Sequence, residues 1–505
     1  MISGMYRAKA VRSTWSLANI CGGRVLRWTL LALTVTGLSS CSTPRNAVLA
    51  ITHVNVIDAT GSPAQPDMTL LIADQRIKWM GPSKSAPTLR GAGILDAAGK
   101  FLIPGLADMH VHLTGAGEPN GSREFIIPLL LANGITTVRD MGGKVQYLRD
   151  LRNEIEHGNR LGPQIFFTGP YLDGDPPGYQ PAIVVKSATD ARNAVDQLTD
   201  EGVDFIKTQS RLGRGGYFAI SEESKRRHIR FVGHVPDRIS ALEAAQSGEA
   251  SIEHLTGILL ACSSREDELR RASLAPVPIN QTPAMALARE RAWRRELLNS
   301  YSPAKAESLF RAFVASETWQ VPTFPIIVHL GFVTPKTDLL QEPHMLYVPQ
   351  NVRRIWLQGV HAQLENHSDA DFALREEIAR HLLDVSGKMQ AAGVRIMAGT
   401  DIAAPNVFPG WSLHEDLSYL VQAGLTPMQV LQAATRSPAE FLSRLQMQGT
   451  IEAGKVADLL LLDANPLVDI HKTQKIRALI LRGKLLDRIA LDRLLASVEK
   501  FAAAN

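Results

Sequence analysis

The chain is poor in cysteine, with three in 505 residues. Cys21 and Cys41 both fall near the start, so Cys262 stands alone in the body and no disulfide framework is expected there. A strong charge imbalance is missing too. Lys and Arg total 54 against 50 Asp and Glu, a net charge of +4 with the basic residues scattered. That gives nucleic-acid binding no support. No apolar run reaches the roughly 20 residues of a comfortable membrane span. There is no Gly-x-Ser-x-Gly elbow and no Gly-x-x-x-x-Gly-Lys-Ser/Thr phosphate loop. Gly213-Arg-Gly-Gly216 is glycine-rich but has neither spacing. Short-period repeats and low-complexity tracts are also lacking.

What is present begins with a leader. Arg24 and Arg27 precede the short apolar run Trp28 to Gly37, and Leu38-Ser-Ser-Cys41 follows. A positive region, an apolar core and small residues make a secretory signal over residues 1–41. Leu-Ser-Ser-Cys resembles the lipobox of bacterial lipoproteins, in which the cysteine is lipidated and becomes the first mature residue. Ser42 after it then implies the periplasmic side of the outer membrane, with Cys41 the only membrane anchor. A plain signal peptide, with a secreted or periplasmic product, stays open. The stretch of residues 1–23 ahead of the signal is long for such a leader and leaves the true start open, at Met1 or downstream of it.

Hydrophobic content of 45% and charged content of 21% fit a globular body. Residues 48–97 read as short strands (Val48 to Ile51, Val54 to Ile57, Leu70 to Ile72, Ile77 to Met80), with turns at Asp74-Gln75 and Gly81-Pro82. Residues 449–487 are alike in kind, with Leu459 to Leu462 and Ile476 to Leu481 as strands, and 488–505 form a tail. The two ends together predict one small sheet domain built from both. Between them, residues 98–448 alternate strand and helix. Eight strands are expected: Phe101 to Leu106, Gly134 to Arg139, Gln164 to Thr168, Val203 to Lys207, Ile229 to Gly233, Ser251 to His254, Gln320 to Thr323 and Val394 to Ala398. The class is α/β, and the pattern predicts a (β/α)8 TIM-type barrel. Two long connections, 256–318 and 325–375, follow strands and read either as lid or pocket elements or as plain packing.

The chemistry collects at the expected strand ends. They read Asp108-Met-His110-Val-His112, Asp204-Phe-Ile-Lys207, Gly233-His234, Ile252-Glu-His254 and Ala398-Gly-Thr-Asp401. In a strand, side chains i and i+2 share a face, so His110 and His112 can grip one ion. A barrel puts all these ends on one face. Each residue has a bland reading: His234 and His254 as buried rings bonded to backbone, Lys207 as a solvated lysine, Asp401 as a loop cap. All of them being bland together, each at a strand end, is improbable.

Pro104-Gly-Leu-Ala-Asp108-Met-His110-Val-His112 resembles the strand 1 motif of the amidohydrolase superfamily, and Gly449-Thr-Ile-Glu-Ala-Gly-Lys-Val-Ala-Asp458 resembles its C-terminal signature. The resemblance covers roughly residues 48–485 and implies a distorted barrel with a flanking β-sandwich. The nearer branch is the imidazolonepropionase-like group that includes metal-dependent Xaa-Pro dipeptidases and related carboxypeptidases. By that resemblance, His110, His112 and Asp401 hold one divalent ion, His234 and His254 hold a second, and carbamylated Lys207 bridges them; zinc is the expected metal. The chemistry is coherent. An ammonium has no lone pair to offer, but a buried lysine deprotonates readily, and carbamylation makes it a two-oxygen anion. Two ions can share a hydroxide and lower the pKa of its water to about 7. Asp401 then serves as ligand and as acid/base.

Substrate contacts are expected from Tyr171 and Tyr179 after strand 3, Arg211 and Arg214 after strand 4, and His414-Glu415 after strand 8. An arginine fork suits a substrate carboxylate. The expected activity is hydrolysis of an amide bond in a small molecule or short peptide, in the manner of a dipeptidase or carboxypeptidase. Opening of a cyclic amide or lactone at the same site is the alternative, and a non-catalytic metal-binding lipoprotein is the third reading. The sequence leaves a homo-oligomer open.

Overall fold

The protein is described by a computed structural model over residues 49–89, 91–114, 121–276, 278–332, 341–365, 367–402 and 404–505. The expected signal segment and the anchor at Cys41 lie outside the described residues.

Both chain ends enter one sheet. Its strands are β1 (Leu49–Val56), β2 (Gln65–Ala73), β3 (Arg76–Pro82), β4 (Gly93–Asp96) and β5 (Phe101–Pro104) from the front of the chain. Three more come from its rear, which we number after the nine between them: β15 (Leu459–Leu462), β16 (Ile476–Leu481) and β17 (Lys484–Asp487). The order is β17-β16-β15-β5-β1-β2-β3, with β4 on β1. β15 is four leucines, all buried, because apolar groups cover both of its faces. The β2–β3 hairpin turns on Asp74 and Gln75 at φ 48° and 64°, the positive pair that a two-residue type I′ turn needs.

The other nine strands are parallel. They are β6 (Leu106–Val111), β7 (Ile135–Asp140), β8 (Gln164–Phe167), β9 (Tyr171–Asp173), β10 (Ala182–Val184), β11 (Ile206–Thr208), β12 (Phe231–Gly233), β13 (Ser251–Glu253) and β14 (Trp319–Val321). Orders are β6-β7-β8 and β10-β9-β11-β12-β13-β14. Asp204 N donates to Phe167 O at 2.9 Å, joining β8 to the approach of β11. Helices lie between strands, and two of them, Ala188–Asp200 and Ala241–Ser247, start on capping boxes at Ser187 and Ser240. Met109, Phe166, Phe205, Val232, Trp319, Val321, Met397 and Phe441 form one buried apolar cluster among these strands.

Two expected strands differ. Phe101 to Leu106 is divided at Gly105: β5 joins the sheet of the chain ends and only Leu106 onward belongs with β7. Pro104 cannot extend a ladder as a donor, and a Cβ at Gly105 would collide with the Thr136 side chain. The expected strand Val394 to Ala398 is only an isolated bridge, Gln320↔Ile396. Its backbone still hydrogen-bonds on both sides, Met397 N to Gln320 O at 3.0 Å and Met109 N to Ala398 O at 3.0 Å. The chain then turns at Asp401, φ 67°, which no strand accommodates. No described helix is long and apolar enough to cross a membrane.

Candidate metal centre

β6 carries His110 and His112 into one neighbourhood. The segment bearing Asp401 is laid against them, with Asp401 N donating to His110 O at 2.8 Å. Two buried carboxylates pin that segment. Asp108 accepts from Thr400 Oγ1 at 2.6 Å and Thr400 N at 3.1 Å, and Asp416 accepts from Gly399 N at 3.2 Å and Phe324 N at 3.0 Å. The result is an Asp401 Oδ1 that sits 3.0 Å from His112 Nε2 and 3.4 Å from His110 Nε2.

His254 follows β13 in the positive-φ region at 57°. Its ring centre is 4.4 Å from that of His110 and 4.9 Å from that of His234. His234 arrives from β12, where Gly233 adopts φ 141° and a Cβ would run into the Thr208 carbonyl of β11. His110, His254 and Asp401 each offer a ligand atom within 4.8 Å of the others'. Every imidazole has an oxygen partner for Nδ1: Glu253 Oε2 at 2.8 Å for His110, Thr323 Oγ1 at 2.6 Å for His254, Ser210 Oγ at 3.0 Å for His234, and Gly142 O at 3.4 Å for His112. That leaves the Nε2 atoms for the centre. His110 Nε2 is buried with no hydrogen-bond partner, the mark of a donor atom built for a ligand. The residue types and this orphan atom fit a divalent ion.

The electrostatics suit ligation. Burial, then the Lys207 charge, holds His110 and His234 well below the usual imidazole range, and burial takes His254 down to about 4. Neutral imidazole is the ligating form. Burial also disfavours charge on His112, but the hydrogen bond and charge of Asp401 outweigh it and raise its pKa. Burial alone would raise Asp401; His254 and His112 more than offset it, and the carboxyl lies below its ordinary value. Lys207 on β11 is 1% exposed, and burial brings its amine down to about 8, within reach of the neutral form.

Of the expected substrate residues, the structure brings Tyr171 to the cluster, with its hydroxyl 3.4 Å from His112 Nδ1. Arg211 does not turn inward: its Nη1 donates to Pro176 O at 3.1 Å and its backbone N to Asp173 Oδ1 at 2.8 Å. Tyr179 is exposed. Arg214 pairs with Glu243 at 2.6 Å on the surface. His414 is a buried strut: Nδ1 meets Thr473 Oγ1 at 2.9 Å and Nε2 meets Asn133 O at 3.1 Å, so both ring nitrogens are spent on packing. Glu415 accepts from Ser412 Oγ at 3.0 Å. Missed were Arg139, Glu253, Asp108 and Asp416. Arg139 and Glu253 had a legible signal, each a charge set inside an otherwise buried strand.

Imidazoles and a carboxylate gathered beside the ends of parallel strands form a possible metal-binding group. The family model for the amidohydrolase family matches residues 101–277 and 325–486, and the chain belongs to that family. Ochratoxinase from Aspergillus niger is 24% identical over 446 residues, spanning 84% of this chain and 82% of that protein. Imidazolonepropionase from a Methylobacterium strain is 25% identical over 430 residues, 80% of this chain and 90% of its own. A solved Xaa-Pro dipeptidase with bound methionine superposes with a TM-score of 0.62 at 18% identity, covering 87% of this chain and 100% of that one. The structural neighbours have the TIM-barrel fold of amidohydrolases, and the chain is an enzyme acting on amide bonds in small-molecule or peptide substrates.

Proposed function

We propose that the protein is a two-metal amide hydrolase that acts on dipeptides or N-acyl amino acids as an exopeptidase. The convergence of His110, His254 and Asp401 carries this reading. His110, His112 and Asp401 would hold one ion, His234 and His254 the other, with zinc as the metal and carbamylated Lys207 between them. Bound ions would supply an activated water and polarise the scissile carbonyl. Asp401 takes up a proton at its carboxylate and returns it to the leaving amine. Tyr171, beside His112, is placed to hydrogen-bond the substrate. In this reading the parallel strands and the 394–402 segment close into a (β/α)8 barrel, and the sheet of the chain ends forms the sandwich domain.

The test is a chelator-stripped enzyme reloaded with zinc and bicarbonate, assayed on dipeptides and N-acyl amino acids, with lactones and cyclic ureides alongside. Dipeptide cleavage that Lys207→Ala abolishes is expected. A second reading, hydrolysis of a ring amide or lactone, draws on the placement of Arg211 and Arg214 away from the cluster, so that neither expected arginine fork faces a carboxylate there. Ring opening with inert dipeptides would replace the first reading by the second. The lipid anchor at Cys41 predicts labelling by radioactive palmitate in cells, lost in Cys41→Ala; an unlabelled wild type would remove it.

A further inference from the structure

Glu253 precedes the proposed ligand His254, but its own carboxylate serves a different residue. Oε2 lies 2.8 Å from Nδ1 of His110, 143 residues away in sequence. Arg139 on β7 grips both carboxylate oxygens, Nη2 to Oε1 at 2.9 Å and to Oε2 at 3.0 Å, and Ser251 Oγ donates to Oε1 at 2.5 Å. Arg139 is itself locked. Nε donates to Met109 O at 2.7 Å, Nη1 to Ser251 Oγ at 3.0 Å, and the guanidinium sits 5.2 Å from the Phe441 ring centre. His110, Arg139 and Glu253 are each 0% exposed.

As a stabilising device this pair is poor value. Desolvating two charges costs about what their attraction returns, and apolar residues of equal volume often do better. Apolar neighbours are at hand in Phe205, Trp319 and Phe441. The hydrogen-bond logic gives the pair another use. An ion-paired carboxylate only accepts, and a neutral imidazole has one N–H. The bond to Glu253 therefore puts the proton on Nδ1 and the lone pair on Nε2, the atom that is buried without a partner. Ser210, which serves His234, is a hydroxyl that donates or accepts alike and dictates no tautomer, whereas Thr323 Oγ1 donates to Pro322 O at 2.6 Å and so accepts from His254 Nδ1.

We propose that Glu253, held by Arg139, is a positioning residue that fixes His110 as its Nδ1–H tautomer and aims its Nε2 at the metal. This rests on the reading of His110 as a ligand. Binding then displaces no proton from His110 and reorients no ring.

Two variants and one spectrum test it. Glu253→Gln removes the charge. Arg139→Met/Glu253→Leu removes the acceptor without leaving a buried charge unpaired. Cobalt(II) is titrated into the chelator-stripped full chain and followed by visible absorption and by competition with a chelator. Both variants are expected to bind the ion about 10- to 100-fold more weakly, with a changed absorption band. A folded double variant with wild-type affinity and band would overturn the proposal and leave the ligand reading standing. A wild type that binds no cobalt would overturn both. Should neither variant fold, nitrogen-15 histidine spectra of the metal-free wild type decide, with His110→Gln supplying the assignment: protonated Nδ1 supports the proposal and protonated Nε2 ends it.

Discussion

The sheet of the chain ends and the strand-end cluster are built on opposite rules. In the sheet, apolar side chains bury themselves and the backbone follows. Leu459, Leu460, Leu461 and Leu462 are at most 1% exposed, and their partners on β5 and β16 are set by antiparallel register, broken once, against β16, between Leu461 and Leu462. In the cluster, charges and imidazoles take the buried positions, and the backbone bends to suit them. His254, Leu255, Thr323 and Asp401 all have positive φ, an uncommon state for such residues that persists only where surrounding structure enforces it. One region spends its burial on stability and the other on chemistry.

The sharpest way to separate them is Asp401→Asn. The amide cannot exchange the proton, so turnover should fall by about 10²- to 10⁴-fold. Thermal stability should hold or fall slightly, since the fold favours the anion that is removed. Metal content by elemental analysis and kcat on the preferred amide check it; both metals bound with wild-type turnover would remove Asp401 as the acid/base. Leu460→Ala is the converse. Leu460 is fully buried and packs over Gly134 at the start of β7. Its loss should cost about 2–5 kcal/mol in urea unfolding, with kcat unchanged per folded molecule. A kcat that falls with stability would mean that the two regions are not separable.

This contrast also explains what the sequence made legible. Alternation and leucine runs report burial directly, so most of the end sheet and seven of the nine parallel strands could be read from pattern, whereas the short β9 and β10 were not expected. The strand-end histidines, Lys207 and Asp401 were legible because the fold expectation told us where to look. Three things hid. The split at Gly105 hid because a strand that changes sheets has one continuous apolar run. The segment at Val394 to Ala398 read as a strand because apolar content does not reveal that its pairing is a single bridge. The buried partners Glu253, Arg139, Asp108 and Asp416 hid because their meaning lies in contacts between distant elements, as between Asp108 and Thr400, 292 residues apart.

His414 tests the boundary between the regions. It was expected to face substrate, yet it is spent on Thr473 and Asn133, and burial lowers its pKa to about 4. The unfolded chain binds this proton near pH 6.5 and the folded one only near 4. Stability from this group is therefore complete above about pH 6.5 and lost as pH falls towards 4, by about 3 kcal/mol. His414→Gln should flatten that limb of the unfolding curve while leaving KM unchanged. A raised KM with an unaltered pH limb would return His414 to the substrate pocket.

The smallest expected effect belongs to Arg214, another of the residues that sequence placed near substrate. Its guanidinium is half exposed and paired with Glu243, which also closes the capping box with Ser240. Hydrogen bonding to Arg214, against the opposing cost of burial, takes Glu243 down to about 2. The carboxylate's contribution is thus present above its ordinary value near 4.5 and fades as pH falls towards 2. Removing Arg214 brings that fading to higher pH. At neutral pH a solvent-screened pair is worth under about 1 kcal/mol, and the capping bonds remain. Arg214→Ala should therefore shift the melting temperature by no more than a few degrees and kcat/KM by less than about twofold. A tenfold loss of kcat/KM at unchanged stability would mean that the strand 4 loop swings inward when substrate binds, and that the surface pairing describes only the resting enzyme.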